Sequence, residues 1–287
     1  MRNLIIAIVI LAFCIPLAIL GFYGTSMPTS IEYLQSDKVT EATPNKIAEV
    51  PIQHKVVANV PKNEQQKIEK TITKKTKKKK VIVIDPGHQR YADYRLEKVG
   101  PKSTKWMPKM PASTYGVSTG QAEYALTLQV AEYLQKQLKR EGYRVKLTRQ
   151  EHVIAMSTKE RADFAKKNEA DLYIQLHADG VTNAQAQGLY VISPAANNPF
   201  TKKTYRESQE LARSITASAK KKKVTVYKTG QLHSESLSAL NWATMPTILV
   251  ELGYLNNPTD DRRLAQKDYQ LLLAKSISQG VKAFDSK

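Results

Sequence analysis

The chain has 287 residues, with 44 Lys+Arg against 26 Asp+Glu, a formal net charge of +18 and one cysteine. That length allows one sizeable domain with appendages, and a lone cysteine excludes an internal disulfide. The positive charge favours anionic partners such as nucleic acid, acidic lipid headgroups or wall polymers, without choosing among them.

Leu4 to Tyr23 is an apolar run without a charged residue. At ~1.5 Å per residue it reaches about 30 Å, the thickness of a bilayer's hydrocarbon core. Arg2 precedes it, and the next charges are Glu32 and Lys38. The positive-inside rule then puts the N-terminus in the cytoplasm and the rest of the chain outside. Residues 1–23 are therefore expected to be a single-pass membrane anchor. A cleaved signal is the alternative, although no small-x-small cleavage site is evident. Either way the rest of the chain is exported. Cys14 lies inside the run and reads as a membrane-embedded apolar residue.

Residues 24–80 are rich in Lys, Glu, Gln, Thr and Pro, the composition of a disordered linker. They end in the run Lys74 to Lys80, which contains six lysines. This run reads either as a grip on anionic lipid or wall polymer, or as the self-repelling end of a solvated tether.

From Val81 the pattern changes. Strands are predicted at 81–85, 143–148, 171–176, 188–193 and 247–252. Helices are predicted at 120–141, 157–168, 202–219 and 267–284. The alternation argues for one α/β domain over 81–287, with a largely parallel, twisted central sheet flanked by helices. Val81 to Ile84 and Ile248 to Val250 are apolar on consecutive residues, as expected where both sheet faces are covered. Residues 89–119 break every periodicity with prolines and glycines. A structureless loop of that length is usually functional or mobile.

The chemistry gathers at strand ends. His88 follows Val81 to Gly87, His177 ends Asp171 to Leu176, and Glu251 follows Thr247 to Val250. Open α/β sheets carry their sites at the carboxyl ends of strands. Glu123 opens a helical stretch behind the start signal Ser118-Thr119, and shares a stripe with Leu126, Val130 and Leu134, so it leans toward the sheet. Two imidazoles and a carboxylate can hold one zinc, and a second carboxylate can move protons beside it. Each residue also has a plainer reading. His88 suits a turn, His177 can bond a carbonyl, and Glu123 suits a helix dipole. Glu251 is harder to dismiss, because a carboxylate between Ile-Leu-Val and Leu-Gly-Tyr is costly to bury unpaired.

These residues carry a resemblance. The matching stretches are Val-Ile-Val-Ile-Asp-Pro-Gly-His (81–88), Gln-Ala-Glu-Tyr-Ala-Leu (121–126), Gly-Tyr-Arg-Val-Lys-Leu-Thr-Arg (142–149), Glu-Arg-Ala-Asp-Phe-Ala (160–165), Ala-Asp-Leu-Tyr-Ile-Gln-Leu-His-Ala-Asp (170–179) and Met-Pro-Thr-Ile-Leu-Val-Glu-Leu-Gly-Tyr-Leu-Asn-Asn-Pro (245–258). With them, residues 81–287 resemble the zinc-dependent N-acetylmuramoyl-L-alanine amidases of the type-3 amidase family. The resemblance implies zinc held by His88, Glu123 and His177, and Glu251 as the catalytic carboxylate. It implies peptidoglycan as substrate, cut between N-acetylmuramic acid and the L-alanine of the stem peptide. The sequence departs from the family at Gln89, where glycines are usual, and at Asp179, where asparagine is common. A short link, Gly180 to Gln187, stands where some relatives carry an inhibitory helix.

His54, His152 and His233 remain. The first two read as solvated, and His233 is the rival zinc ligand. Asp85 reads either as support for the metal site or as a turn-shaping residue. Trp106 and Trp242 are candidates for stacking on sugars, with core packing the competing reading for Trp242. Rival functions are a catalytically silent, membrane-tethered wall-binding protein and a zinc peptidase acting within the stem peptide. Export and the lack of aromatic-interleaved basic motifs argue against nucleic acid. A monomer is expected.

Overall fold

A computed structural model describes residues 79–180 and 185–287. The expected anchor (1–23), the linker up to residue 78 and residues 181–184 of the short link lie outside the described residues. Among the described residues no helix is long and apolar enough to cross a membrane.

The strands are β1 (Val81–Pro86), β2 (Asp93–Lys98), β3 (Trp106–Met110), β4 (Arg144–Leu147), β5 (Leu172–Asp179), β6 (Leu189–Pro194), β7 (Val226–Ser234) and β8 (Thr247–Tyr254). The helices are α1 (Glu123–Arg140), α2 (Thr158–Lys167), α3 (Tyr205–Lys221), α4 (Ser238–Asn241), α5 (Pro258–Leu264) and α6 (Lys267–Asp285). Six strands form one sheet in the order β4-β1-β5-β8-β6-β7, and β2 and β3 form a separate antiparallel hairpin. Every pairing in the large sheet is parallel except β6 with β8. The link from β5 to β6 is too short for a helical crossover, so β6 returns in the opposite direction.

Alternation along the strands divides the core. Ile82, Ile84, Leu172, Ile174, Leu176, Ile248 and Val250 pack with the apolar stripes of α1, α3 and α6. Val83 and Tyr173 turn the other way, against Ala162 and Ala165 of α2 and against Ala243 and Met245. Both faces are therefore covered, which explains the unbroken apolar runs of β1, β5 and β8. Helices α3 and α6 approach backbone to backbone at Gly280. A Cβ there would lie 2.4 Å from Cα of Ile215.

The long segment 89–119 is not structureless. Its centre is the β2–β3 hairpin, whose prolines sit at exposed or irregular positions and so hid the strand pattern. Three more elements were absent from the sequence reading: the polar sheet-edge strand β7 and the short helices α4 and α5. Ser118 and Thr119 do not cap α1. The N-cap is Ala122, without a side-chain cap bond. The first-turn amides are instead met from upstream. Glu123 N donates to Thr114 O at 2.9 Å, and Tyr124 N donates to Ser113 Oγ at 3.0 Å.

Candidate metal centre

β1 and β5 pair in parallel from Ile82–Leu172 to Pro86–Leu176, and β5 and β8 pair through His177–Glu251. Register partners in adjacent strands point to the same face, so His177 and Glu251 project side by side. The chain leaves β1 at Pro86 and places His88 in the left-handed region, with φ of 58°. The helix α1 delivers Glu123 from the same end of the sheet. Its stripe of Leu126, Val130 and Leu134 is fully buried, so the helix rotation is fixed and Glu123 is only 2% exposed.

The three predicted ligands converge. One donor atom each from His88, Glu123 and His177 lie within 4.8 Å of one another, a spacing that can hold a metal ion. His88 Nε2 is 3.3 Å from Glu123 Oε2, and His177 Nδ1 is 3.1 Å from Glu123 Oε1. The imidazoles meet edge to face, with ring centroids 4.9 Å apart. Gly87 makes room for this arrangement, since a Cβ there would lie 2.5 Å from the His177 ring.

The surroundings orient the donors. His88 Nδ1–H donates to Pro111 O at 3.1 Å, which leaves Nε2 with its lone pair toward the cluster. Glu123 accepts from Ala178 N on Oε1 and from Thr114 N on Oε2, both at 3.1 Å. Burial opposes ionisation of Glu123, but His177 and His88 outweigh it and hold the carboxyl well below the usual range. Burial likewise opposes charge on His88, and Glu123 more than compensates, raising its pKa. A charged carboxylate held by two backbone amides, with two imidazoles of which His88 is aimed by Pro111 O, suits a divalent ion of zinc's preference.

Glu251 stands apart from the three. It is 9% exposed, and its Oε2 has no hydrogen-bond partner. Burial, together with the carboxylates of Glu123 and Asp179, pushes its pKa well above the ordinary value. It shares a cavity of about 200 Å³ with His88, His177, Gln175, Met107 and Met110. A carboxyl group lining the metal-donor cavity can carry a proton to and from a bound reactant.

Two buried arginines hold the turn that carries His88, a role the sequence reading did not find. Arg161 Nη1 donates to Asp85 Oδ1 at 2.7 Å and to Pro86 O at 2.9 Å, and its Nη2 donates to His88 O at 2.9 Å. Arg149 donates from Nε to Pro86 O at 2.9 Å and from Nη2 to Gly87 O at 3.0 Å. Three consecutive carbonyls are thus clamped by guanidinium groups. Asp85 is bonded to Arg161, Thr148 and Tyr173, so it anchors the clamp rather than shaping a turn. The available sequence signal was Arg161 on the inward stripe of a helix, with Ala162 and Ala165, where a cation needs a buried partner.

The other candidates separate cleanly. His233 lies on β7, bonded to Ser193 Oγ at 3.0 Å and Gln209 Nε2 at 3.2 Å, outside the donor group. His152 is exposed and stacks edge to face on Tyr124. Trp242 packs against the α2 side of the core, and its Nε1 donates to Lys98 O at 3.0 Å. Trp106 is 57% exposed.

Comparison with known proteins gives the family and the fold. The family model described as N-acetylmuramoyl-L-alanine amidase matches residues 82–283. The chain is 26% identical over 210 residues to the probable cell wall amidase LytH of Staphylococcus saprophyticus, covering 73% of this chain and 60% of that protein. It is 27% identical over 207 residues to the N-acetylmuramoyl-L-alanine amidase Rv3717 of Mycobacterium tuberculosis, covering 71% of this chain and 86% of that one. The crystal structure of the amidase Ami1 from Mycobacterium smegmatis shares the fold, with a TM-score of 0.65 at 20% identity over 72% of this chain and 98% of that one.

Proposed function

The chain belongs to the N-acetylmuramoyl-L-alanine amidase family, and from that premise we propose that it is a zinc-dependent peptidoglycan hydrolase. It cleaves the amide between the lactyl group of N-acetylmuramic acid and the L-alanine of the stem peptide, in remodelling or lysis of the cell wall. The observation that most supports this is the convergence of three metal donors, from the turn after β1, from α1 and from β5, beside a cavity that Glu251 also lines.

His88, Glu123 and His177 would hold the ion. Zinc in such a site supplies Lewis acidity toward a carbonyl oxygen and lowers the pKa of water to ~7. Glu251 takes the proton from the attacking water on its free oxygen, then returns it to the leaving amine of L-alanine. A dication held there would favour the ionised form of Glu251, against the burial that otherwise keeps it protonated. Met107 and Met110 roof the cavity and limit water. The run Leu4 to Tyr23 anchors the enzyme in the membrane with the catalytic domain outside, where peptidoglycan lies. The Lys74 to Lys80 run adds salt-sensitive attachment to anionic lipid or wall polymer, and the enzyme works as a monomer.

The test is digestion of purified peptidoglycan, with and without a chelator, followed by mass spectrometry of the products. Free stem peptides beginning at L-alanine are expected from the wild type. Products cut within the stem would show a zinc peptidase instead. His88→Ala, Glu123→Ala and His177→Ala should each lose stoichiometric zinc, whereas His233→Ala should keep it. Glu251→Gln should retain zinc and the fold while turnover falls by roughly a hundredfold or more.

A further inference from the structure

The β2–β3 hairpin has two unlike faces. Inward, Met107 and Met110 line the cavity, and Glu97 is buried with its Oε1 accepting from Lys159 N at 3.1 Å. Outward, the register pairs Leu96–Pro108 and Lys98–Trp106 share a surface. Tyr94 is 67% exposed, Leu96 59% and Trp106 57%, with Tyr91 just before the hairpin at 59%. Four of the eight exposed large apolar side chains among the described residues thus cluster here. Single exposed apolar residues need no account, but a cluster of them marks an interaction site.

The exposed charge of the patch has one sign. Residues 90–110 hold Arg90, Arg95, Lys98, Lys102, Lys105 and Lys109 against Asp93 and Glu97. Asp93 is held by Arg95 Nε at 2.9 Å, and Glu97 is buried. What remains for a partner is cationic. Lys98 Nζ sits 5.7 Å from the Trp106 ring centroid and the Arg90 guanidinium 5.6 Å from that of Tyr91, so cations fix the aromatic groups.

The cavity itself, about 200 Å³, is smaller than the ~300–1,000 Å³ that encloses a drug-sized ligand. A polymer can seat only one sugar–peptide junction there, and its neighbouring units must lie on the surrounding surface. Met107 faces the cavity and Trp106, one residue away, faces out. Adjacent strand positions are ~3.4 Å apart, so the outer face borders the cleft directly.

We propose that this aromatic–cationic face is a docking surface for the glycan strand of peptidoglycan, separate from the catalytic cavity. It rests on the peptidoglycan reading above. The C–H bonds on a pyranose face carry partial positive charge and stack on the negative faces of Tyr94 and Trp106. Carboxylates of peptides hanging from the strand meet Lys98 and the exposed Lys105. The hairpin therefore has two jobs on its two sides, closing the cavity inward and holding insoluble polymer outward.

The test uses the full chain with Glu251→Gln, so that the polymer is not consumed, and insoluble peptidoglycan stripped of other wall polymers. High salt suppresses attachment through the lysine run. Tyr94→Ala with Trp106→Ala should weaken sedimentation with the wall about tenfold, and Tyr94→Phe with Trp106→Phe should restore it. With Glu251 intact, the double alanine variant should hydrolyse a small soluble muropeptide within about twofold of wild type, since neither residue lines the cavity. Unchanged wall binding would overturn the proposal. So would an equal loss on the soluble fragment, or a loss of binding to anionic vesicles in place of the wall. A wild-type chain that hydrolyses neither substrate defeats the amidase reading instead, and a drop in wall binding in the double variant still upholds the docking face.

Discussion

The two faces of the central sheet are made by alternate residues of the same strands, and they are built to different rules. On one face Ile84, Ile174 and Val250 are fully buried among helix stripes, with only apolar neighbours. On the other, Asp85, Gln175 and Glu251 occupy the neighbouring positions, buried nearly as deeply but polar, with the half-buried His177 beside them. The first face lowers the free energy of the fold by removing apolar area from water. The second spends part of that stability on desolvated charge. A parallel sheet with both faces covered lets one side carry the chemistry because the other side carries the fold.

The sharpest way to break this contrast is at the guanidinium clamp. Arg161→Met leaves Asp85 buried without its ion partner, which should cost about 3–5 kcal/mol in urea unfolding. Adding Asp85→Asn should recover much of that loss. Zinc affinity should stay about 10–100-fold weaker even so, because His88 O has still lost its donor and Pro86 O keeps only that of Arg149. Recovery of both properties together would mean that the clamp serves stability alone.

On the apolar face, Ile174→Ala should cost about 2–5 kcal/mol through lost burial and a residual cavity. Zinc affinity per folded molecule should not change, although His177 lies on the same strand. Competition with a chromophoric chelator under native conditions reads this directly. A fall in affinity would show that the faces are mechanically coupled.

The smallest effect is one of pH. Burial alone would raise the pKa of Asp85, but Arg161 and Thr148 reverse this and hold it below its ordinary value. Its stabilising contribution is therefore present above the unfolded value of about 3.9 and is lost as pH falls through the lower folded value. Metal-free protein should lose stability as pH drops below about 4, with a slope of at most about 1.4 kcal/mol per pH unit from this group. In Asp85→Asn that component of the slope should vanish. An unchanged slope would assign the acid sensitivity to other carboxylates.

Where the sheet is covered on both sides, the sequence was legible. β1, β5 and β8 stand out as consecutive apolar runs, and polar residues at their ends are conspicuous because burial there is costly. Glu123 was legible through its helical stripe. The hairpin was not, because its outward residues, Tyr94, Leu96 and Trp106, are apolar yet exposed, which inverts the usual pattern. β7 was hidden because a polar strand at a sheet edge needs only one partner strand and little burial. The α1 start was misread because its amides are met by Ser113 and Thr114, nine residues or more upstream. No local signal announces such a long-range cap. Arg161 was passed over for a similar reason: its partners lie 72 to 76 residues away.

The strand order β4-β1-β5-β8-β6-β7 also separates the parts of the site along the chain. His88 just after β1, Glu123 on α1 and His177 on β5 are all present by residue 179, and β1, α1 and β5 touch one another directly. Glu251 comes later, on β8, which pairs with β5. The three donors meet only through the β1–β5 pairing, across about ninety residues, and Glu251 joins them only through the β5–β8 pairing, across about seventy-four, so neither closure is local. Holding a metal would thus require one long-range pairing, and hydrolysis two.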